Sequence, residues 1–208
     1  MLNRRSDAGF TLIELLVVVA ILGVVVAPIA TAVLVAIKNT DATSARLAVS
    51  HDAQQSSAFF AQDVAATGLR DFTGQVANGK VPFSASVQPG AAYDAGGQVC
   101  GTATTPVSVL RLLSDDWDTS TPAATRRTAI VAYYLAGTEL HRLRCVGSPS
   151  PVSDAVVAHH VQLGSPAVTC SSTCTDAAVP QWVKLTFTAV AAGADPYPIT
   201  LFGQRRQT

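Results

Sequence analysis

Polar and apolar positions divide this chain into two unlike stretches. From Leu15 to Ile37 no charged residue occurs, and a single carboxylate, Glu14, stands just ahead of that run. As a helix the run would measure roughly 35 Å, enough to cross a hydrocarbon layer of about 30 Å with some tilt. Pro28 lies inside it and predicts a kink or a locally unwound turn, because proline lacks an N–H and its ring crowds the preceding turn. Between Ala30 and Thr67 there is neither Gly nor Pro, so the helix is expected to continue. Ala42, Val49, Ala53, Phe60 and Val64 fall on one helical face, with Lys38, Asp41, Arg46, Asp52 and Asp63 expected largely elsewhere. Thr67-Gly68 reads as the helix end, with Gly68 in the left-handed capping position. One long helix over 11–67 is predicted, its membrane part within 10–37 and an amphipathic continuation over 38–68.

After Gly68 the texture changes to short apolar runs separated by Gly, Pro, Ser and Thr. Residues 81–88 alternate weakly and predict an edge strand limited by Pro82. Residues 107–113 predict a strand, 114–127 a polar loop, and 129–135 with 139–146 a hairpin around Gly137. Residues 156–163, 181–190 and 197–202 complete the strands. In 181–190 the polar Trp182, Lys184, Thr186 and Thr188 alternate with Val183, Leu185 and Phe187, as a strand with one buried face requires. The expected fold is α+β: a long N-terminal helix on a mostly antiparallel sheet built from a β-rich domain, 69–208.

Composition narrows the setting. The chain has 208 residues and zero formal net charge, with only 13% charged side chains, so no basic field points to nucleic acid. Arg4 and Arg5, the basic residues ahead of the apolar run, favour a cytoplasmic N-terminus by the positive-inside tendency. Cys100, Cys145, Cys170 and Cys174 all lie beyond the run, on the side that would then be exported. An even count in an oxidising compartment predicts two disulfides, with Cys170–Cys174 and Cys100–Cys145 preferred among three pairings.

Candidate chemistry is sparse. No phosphate-binding loop, nucleophile elbow, HExxH or dinucleotide-binding glycine turn occurs, so no catalytic residues are assigned, and no cofactor. His51, His141, His159 and His160 are expected on the surface. A zinc site joining Cys170 and Cys174 to the other cysteines is disfavoured, because the remaining pair lacks the usual close spacing. Asp115, Asp116 and Asp118 offer oxygen ligands within one loop and are weak calcium candidates, although a solvated acidic loop is the commoner explanation. The pairs Arg126-Arg127 and Arg205-Arg206 are expected as solvated surface rather than as phosphate contacts.

The apolar run itself admits three explanations. A conventional secretory signal would be cut after Ala30-Thr31-Ala32, but Glu14 would then sit inside its hydrophobic region at a cost of about 2.5–3.5 kcal/mol at full depth. A plain anchor accounts for the length and gives Glu14 no purpose. Gly9-Phe10-Thr11-Leu12-Ile13-Glu14-Leu15-Leu16-Val17-Val18, however, resembles the N-terminus of the type IV pilin and pseudopilin superfamily. That resemblance implies a nine-residue leader removed by a prepilin peptidase between Gly9 and Phe10, with N-methylation of Phe10. It also implies that Glu14 meets the N-terminal amine of a neighbouring subunit during assembly. The partners implied are other pilin or pseudopilin subunits, the peptidase, an inner-membrane assembly platform and the membrane; the protein would start as a single-pass cytoplasmic-membrane protein with its C-terminal domain in the periplasm or at the cell surface. The phrase Ala132-Tyr133-Tyr134-Leu135 with Leu140-His141-Arg142-Leu143 further resembles the hairpin of J-type minor pseudopilins and W-type minor pilins. The implied function is a minor subunit of a pilus or a type II secretion pseudopilus. The rival is a membrane-anchored exported binding module, an adhesin or DNA-uptake receptor, that never polymerises.

Overall fold

The computed structural model describes residues 11–74, 76, 79–120 and 122–206. The chain divides into two units, Met1–Ser44 and Ala45–Thr208. Helix α1 runs from Leu12 to Ala66 and stays α-helical through Pro28, with no unwound turn. The expected interruption is absent from the helical pattern because proline removes a single ladder bond, to the carbonyl of Val24. Thr31 Oγ1 donates to the Pro28 carbonyl at 2.8 Å within the same stretch. The helix ends differently from the capping expectation. Gly68 has φ of +143°, far from the left-handed helical value near +57°, and its N–H reaches the carbonyl of Leu113 at 2.9 Å. It is a buried glycine bridged to Ser114 at a sheet margin rather than a helix cap.

Among the described residues eight strands follow: β1 (Val87–Pro89), β2 (Ser108–Asp118), β3 (Thr125–Ala136), β4 (Glu139–Val146), β5 (Pro151–Ala158), β6 (Ala167–Cys170), β7 (Trp182–Ala189) and β8 (Tyr197–Gln204). They form two antiparallel sheets instead of one, a five-stranded meander β1-β2-β3-β4-β5 and a three-stranded β6-β7-β8. The expected polar loop at 114–127 is mostly strand, because Asp115 to Asp118 continue the β2 pairing with Thr125 to Thr128. The strand expected at 156–163 ends early: His160 has φ of +56° and the chain crosses to the second sheet, where Val161 bridges Ala189. Residues 81–88 contribute only the start of the short β1, and Phe83 makes an isolated bridge to Arg70.

Two apolar clusters hold the second unit. The larger joins Val49, Phe60 and Val64 of α1 to Leu112, Val131, Tyr133, Leu140 and Val157 of the first sheet and to Val183, Leu185, Phe187, Ile199 and Leu201 of the second. The smaller lies on the opposite face of the first sheet and contains Leu69, Leu113, Ile130, Tyr134, Leu143 and the Cys100 and Cys145 pair. Strand β3 serves both faces, so its central run reads as continuously apolar rather than alternating. Strand β7 has one buried face and alternates strictly, as its sequence requires.

Helix and second sheet approach unusually closely at Gly203. A Cβ built there would meet Val64 Cβ at 2.4 Å. Only a residue without a side chain lets β8 lie this near α1, and the contact brings the Arg206 N–H within 3.2 Å of the Ala65 carbonyl.

Candidate functional site

The N-terminal segment is built from a helix start and a bare apolar surface. Thr11 caps α1: its Oγ1 accepts from the Glu14 N–H at 3.3 Å, and its carbonyl accepts from the same N–H at 3.1 Å. Thr11-Leu12-Ile13-Glu14 therefore has the Ser/Thr-x-x-Glu spacing of a capping box, with the hydroxyl half of the box formed. Sequence reasoning passed over this signal, although the four residues carry it in plain view. The Glu14 carboxylate has no ion-pair partner among the described residues. Around it the side chains from Leu12 to Ile37 are exposed throughout. The helix is long and apolar enough to cross a membrane. Gly9 and Phe10, the expected cleavage and methylation positions, lie outside the described residues, as do Arg4 and Arg5.

In the second unit α1 carries two buried carboxylates where charged residues were expected to face away from the core. Asp52 and Asp63 are spaced by about three helical turns and so share one face. Asp63 accepts from Tyr133 Oη at 2.6 Å, from Arg142 Nε at 2.7 Å and from Arg142 Nη2 at 2.6 Å. Tyr133 and Arg142 are direct cross-strand partners on β3 and β4, so the hairpin register delivers both donors to one carboxylate. Phe60 meets the Tyr133 ring edge-on at 5.6 Å, and Arg142 lies over Phe59 at 5.0 Å. Burial, then the negative Asp63, push the Tyr133 phenol well above its ordinary range. The bonds to Asp63 raise Arg142 further, so its charge is fixed. Asp52 accepts from the His159 backbone N–H at 2.7 Å and lies 3.2 Å from His159 Nδ1. These aspartates evade periodicity reasoning because a carboxylate meeting strong donors can be buried, and the donors are 70 to 107 residues away.

The other candidate residues are distributed as follows. Disulfides join Cys100 to Cys145 and Cys170 to Cys174, with Cα separations of 5.6 and 5.4 Å. Asp115 pairs with Arg126 at 2.6 Å, and Asp116 and Asp118 pair with Arg127 at 2.8 and 3.1 Å. Strand alternation puts Asp115 on the opposite face from Asp116 and Asp118, so the three do not converge on one point as calcium would need. The same pairs occupy Arg126 and Arg127. His141 is not a plain surface histidine: it stacks on Tyr134 at 5.0 Å and lies 3.1 Å from Asp154, which also accepts from Tyr134 Oη at 2.7 Å. Burial, and then the bond to Asp154, raise the Tyr134 phenol above its ordinary range. Arg205 is likewise not solvated surface, since its guanidinium packs against Phe83 at 4.9 Å.

Residues 4–30 match the family model described as the prokaryotic N-terminal methylation motif. No curated protein matches the chain. The motif supports a type IV pilin-like or pseudopilin-like protein, and with the apolar helix it fits a single-pass membrane anchor.

Proposed function

We propose that this chain is a minor structural subunit of a type IV pilus or a type II secretion pseudopilus, akin to the J-type and W-type subunits, and not a catalyst. Prepilin peptidase cuts between Gly9 and Phe10, Phe10 is N-methylated, and the apolar part of α1 packs with its equivalents in the filament. The N-terminus starts in the cytoplasm, and the disulfide-bearing unit is exported. The observation that carries this reading is the methylation motif joined to a helix whose charge-free stretch is exposed on every side and is preceded directly by Glu14. An isolated carboxylate at that depth needs a cation, and a freed α-amine on a neighbouring copy supplies one. The large β-rich unit, Ala45–Thr208, favours a tip or initiating subunit over the bulk one.

N-terminal sequencing with mass spectrometry of the mature protein tests the processing step. The expected product begins at a methylated Phe10; a start at Thr31 or Val33 overturns the leader. Glu14→Ala tests assembly: membrane insertion should persist while incorporation into filaments is lost. Normal incorporation would leave the anchored, non-polymerising module as the better reading.

A further inference from the structure

The clearest unexplained group in the second unit is the guanidinium of Arg205, just after β8. Its backbone is fixed, with the N–H donating to the Gln181 carbonyl at 2.8 Å. Its Nε and Nη1, however, are closed off from solvent and have no hydrogen-bond partner. Leaving a buried donor unmet costs about 1–3 kcal/mol, and more for a charged group. No acid offsets it. Burial, and then the like charge of Arg70, pull the Arg205 guanidinium below its ordinary range. The two guanidinium carbons lie 4.9 and 4.6 Å from the centre of the same Phe83 ring. None of the ion pairs among the described residues includes either side chain. The Arg70 Nη1 reaches only the Val81 carbonyl, at 3.3 Å. Two arginines thus share one aromatic platform without an ion-pair partner among the described residues.

Arg205 also lines a cavity of about 430 Å³ with Phe83, Ser171, Ser172, Val179 and Gln181. The loop closed by Cys170–Cys174 supplies the two serines. Ser171 Oγ accepts from the Gln181 N–H at 2.8 Å, so its own O–H remains able to donate. Cationic, hydroxyl and apolar walls therefore meet in one recess.

We propose that this recess binds a carboxylate carried on an apolar body. Of the three guanidinium nitrogens only Nη2 is not closed off, so it is the donor a carboxylate oxygen in the recess would meet, and a single anion supplies the counter-charge that the two arginines lack. Phe83 and Val179 accept an apolar body and penalise a strongly hydrated phosphate dianion. The source is either a free organic acid or the terminal carboxylate of a polypeptide. The assignment goes beyond the subunit role and stands without it.

The test uses the full chain in detergent, labelled with ¹⁵N at arginine, at constant ionic strength. Benzoate, inorganic phosphate, and a short apolar peptide with either a free or an amidated C-terminus are titrated separately. The expected result is a saturable shift of the Arg205 Nε–H resonance by benzoate, with phosphate at least tenfold weaker. In Arg205→Lys, read at the Arg70 Nε–H over the same Phe83 ring, saturation should be lost, and Arg70→Gln, read at Arg205, should weaken binding severalfold. Stronger binding of the free peptide than of benzoate, lost on amidation, assigns a polypeptide source; benzoate binding alone assigns a free acid. An Arg205 resonance unmoved by benzoate and by both peptides overturns the proposal, as does phosphate binding as tightly as benzoate.

Discussion

Residues 12–44 and 45–66 belong to one unbroken helix, yet they satisfy opposite requirements. In the first segment the apolar side chains from Leu12 to Ile37 point in every direction and remain exposed, Leu12 at 79% and Leu16 at 60%. In the second, Val49, Asp52, Ser56, Phe60, Asp63 and Val64 form a buried stripe at spacings of three and four. A helix apolar on all sides needs an apolar surrounding on all sides, which lipid or a bundle of like helices provides. A helix with a stripe needs one neighbour, and two sheets supply it. The difference extends to charge. Glu14 has no described partner, whereas Asp63 has three hydrogen bonds to it within its own chain. The first segment is completed from outside, the second from inside.

That contrast can be tested by substitution, read by denaturant unfolding of the full chain in detergent. Both tryptophans, Trp117 and Trp182, lie in the second unit, so their fluorescence reports on it selectively. The largest effect is expected for Asp63→Ala, which strands Tyr133 and Arg142 in a buried site and should cost about 3–5 kcal/mol. An unchanged midpoint would mean that apolar packing alone seats the helix. A smaller loss, about 1–3 kcal/mol, is expected for Gly203→Ala, because the new methyl must displace β8 from Val64. Trimming Val64 to Ala should give little relief, since the Val64 Cβ is itself the nearest atom. The smallest effect belongs to Leu16→Ala, whose removed atoms face outward: the unfolding midpoint of the second unit should stay within about 0.5 kcal/mol. A clear shift there would show that the bare segment contributes to the stability of the β-rich unit.

The sequence by itself determined whatever depends on neighbours along the chain. The charge-free run, the Gly9-Phe10 to Glu14 motif, the alternation of β7 and the β3–β4 hairpin were all readable from local pattern, because each is a statement about adjacent residues and their periodicity. The Thr11-to-Glu14 cap was equally local and was overlooked. Tertiary structure decided what depends on distant partners. Asp115 to Asp118 looked like a loop because polar residues on a strand are legible only once Arg126 and Arg127 are placed opposite them. Asp52 and Asp63 looked like solvent-facing charges because a carboxylate's burial is set by its donors, and His159, Tyr133 and Arg142 come from remote strands and turns. The Arg205 tail looked solvated because nothing near it in sequence announces Phe83 or Arg70. Backbone periodicity is a short-range property; the electrostatic compensation of a buried charge is a long-range one, and only the fold brings its two sides together.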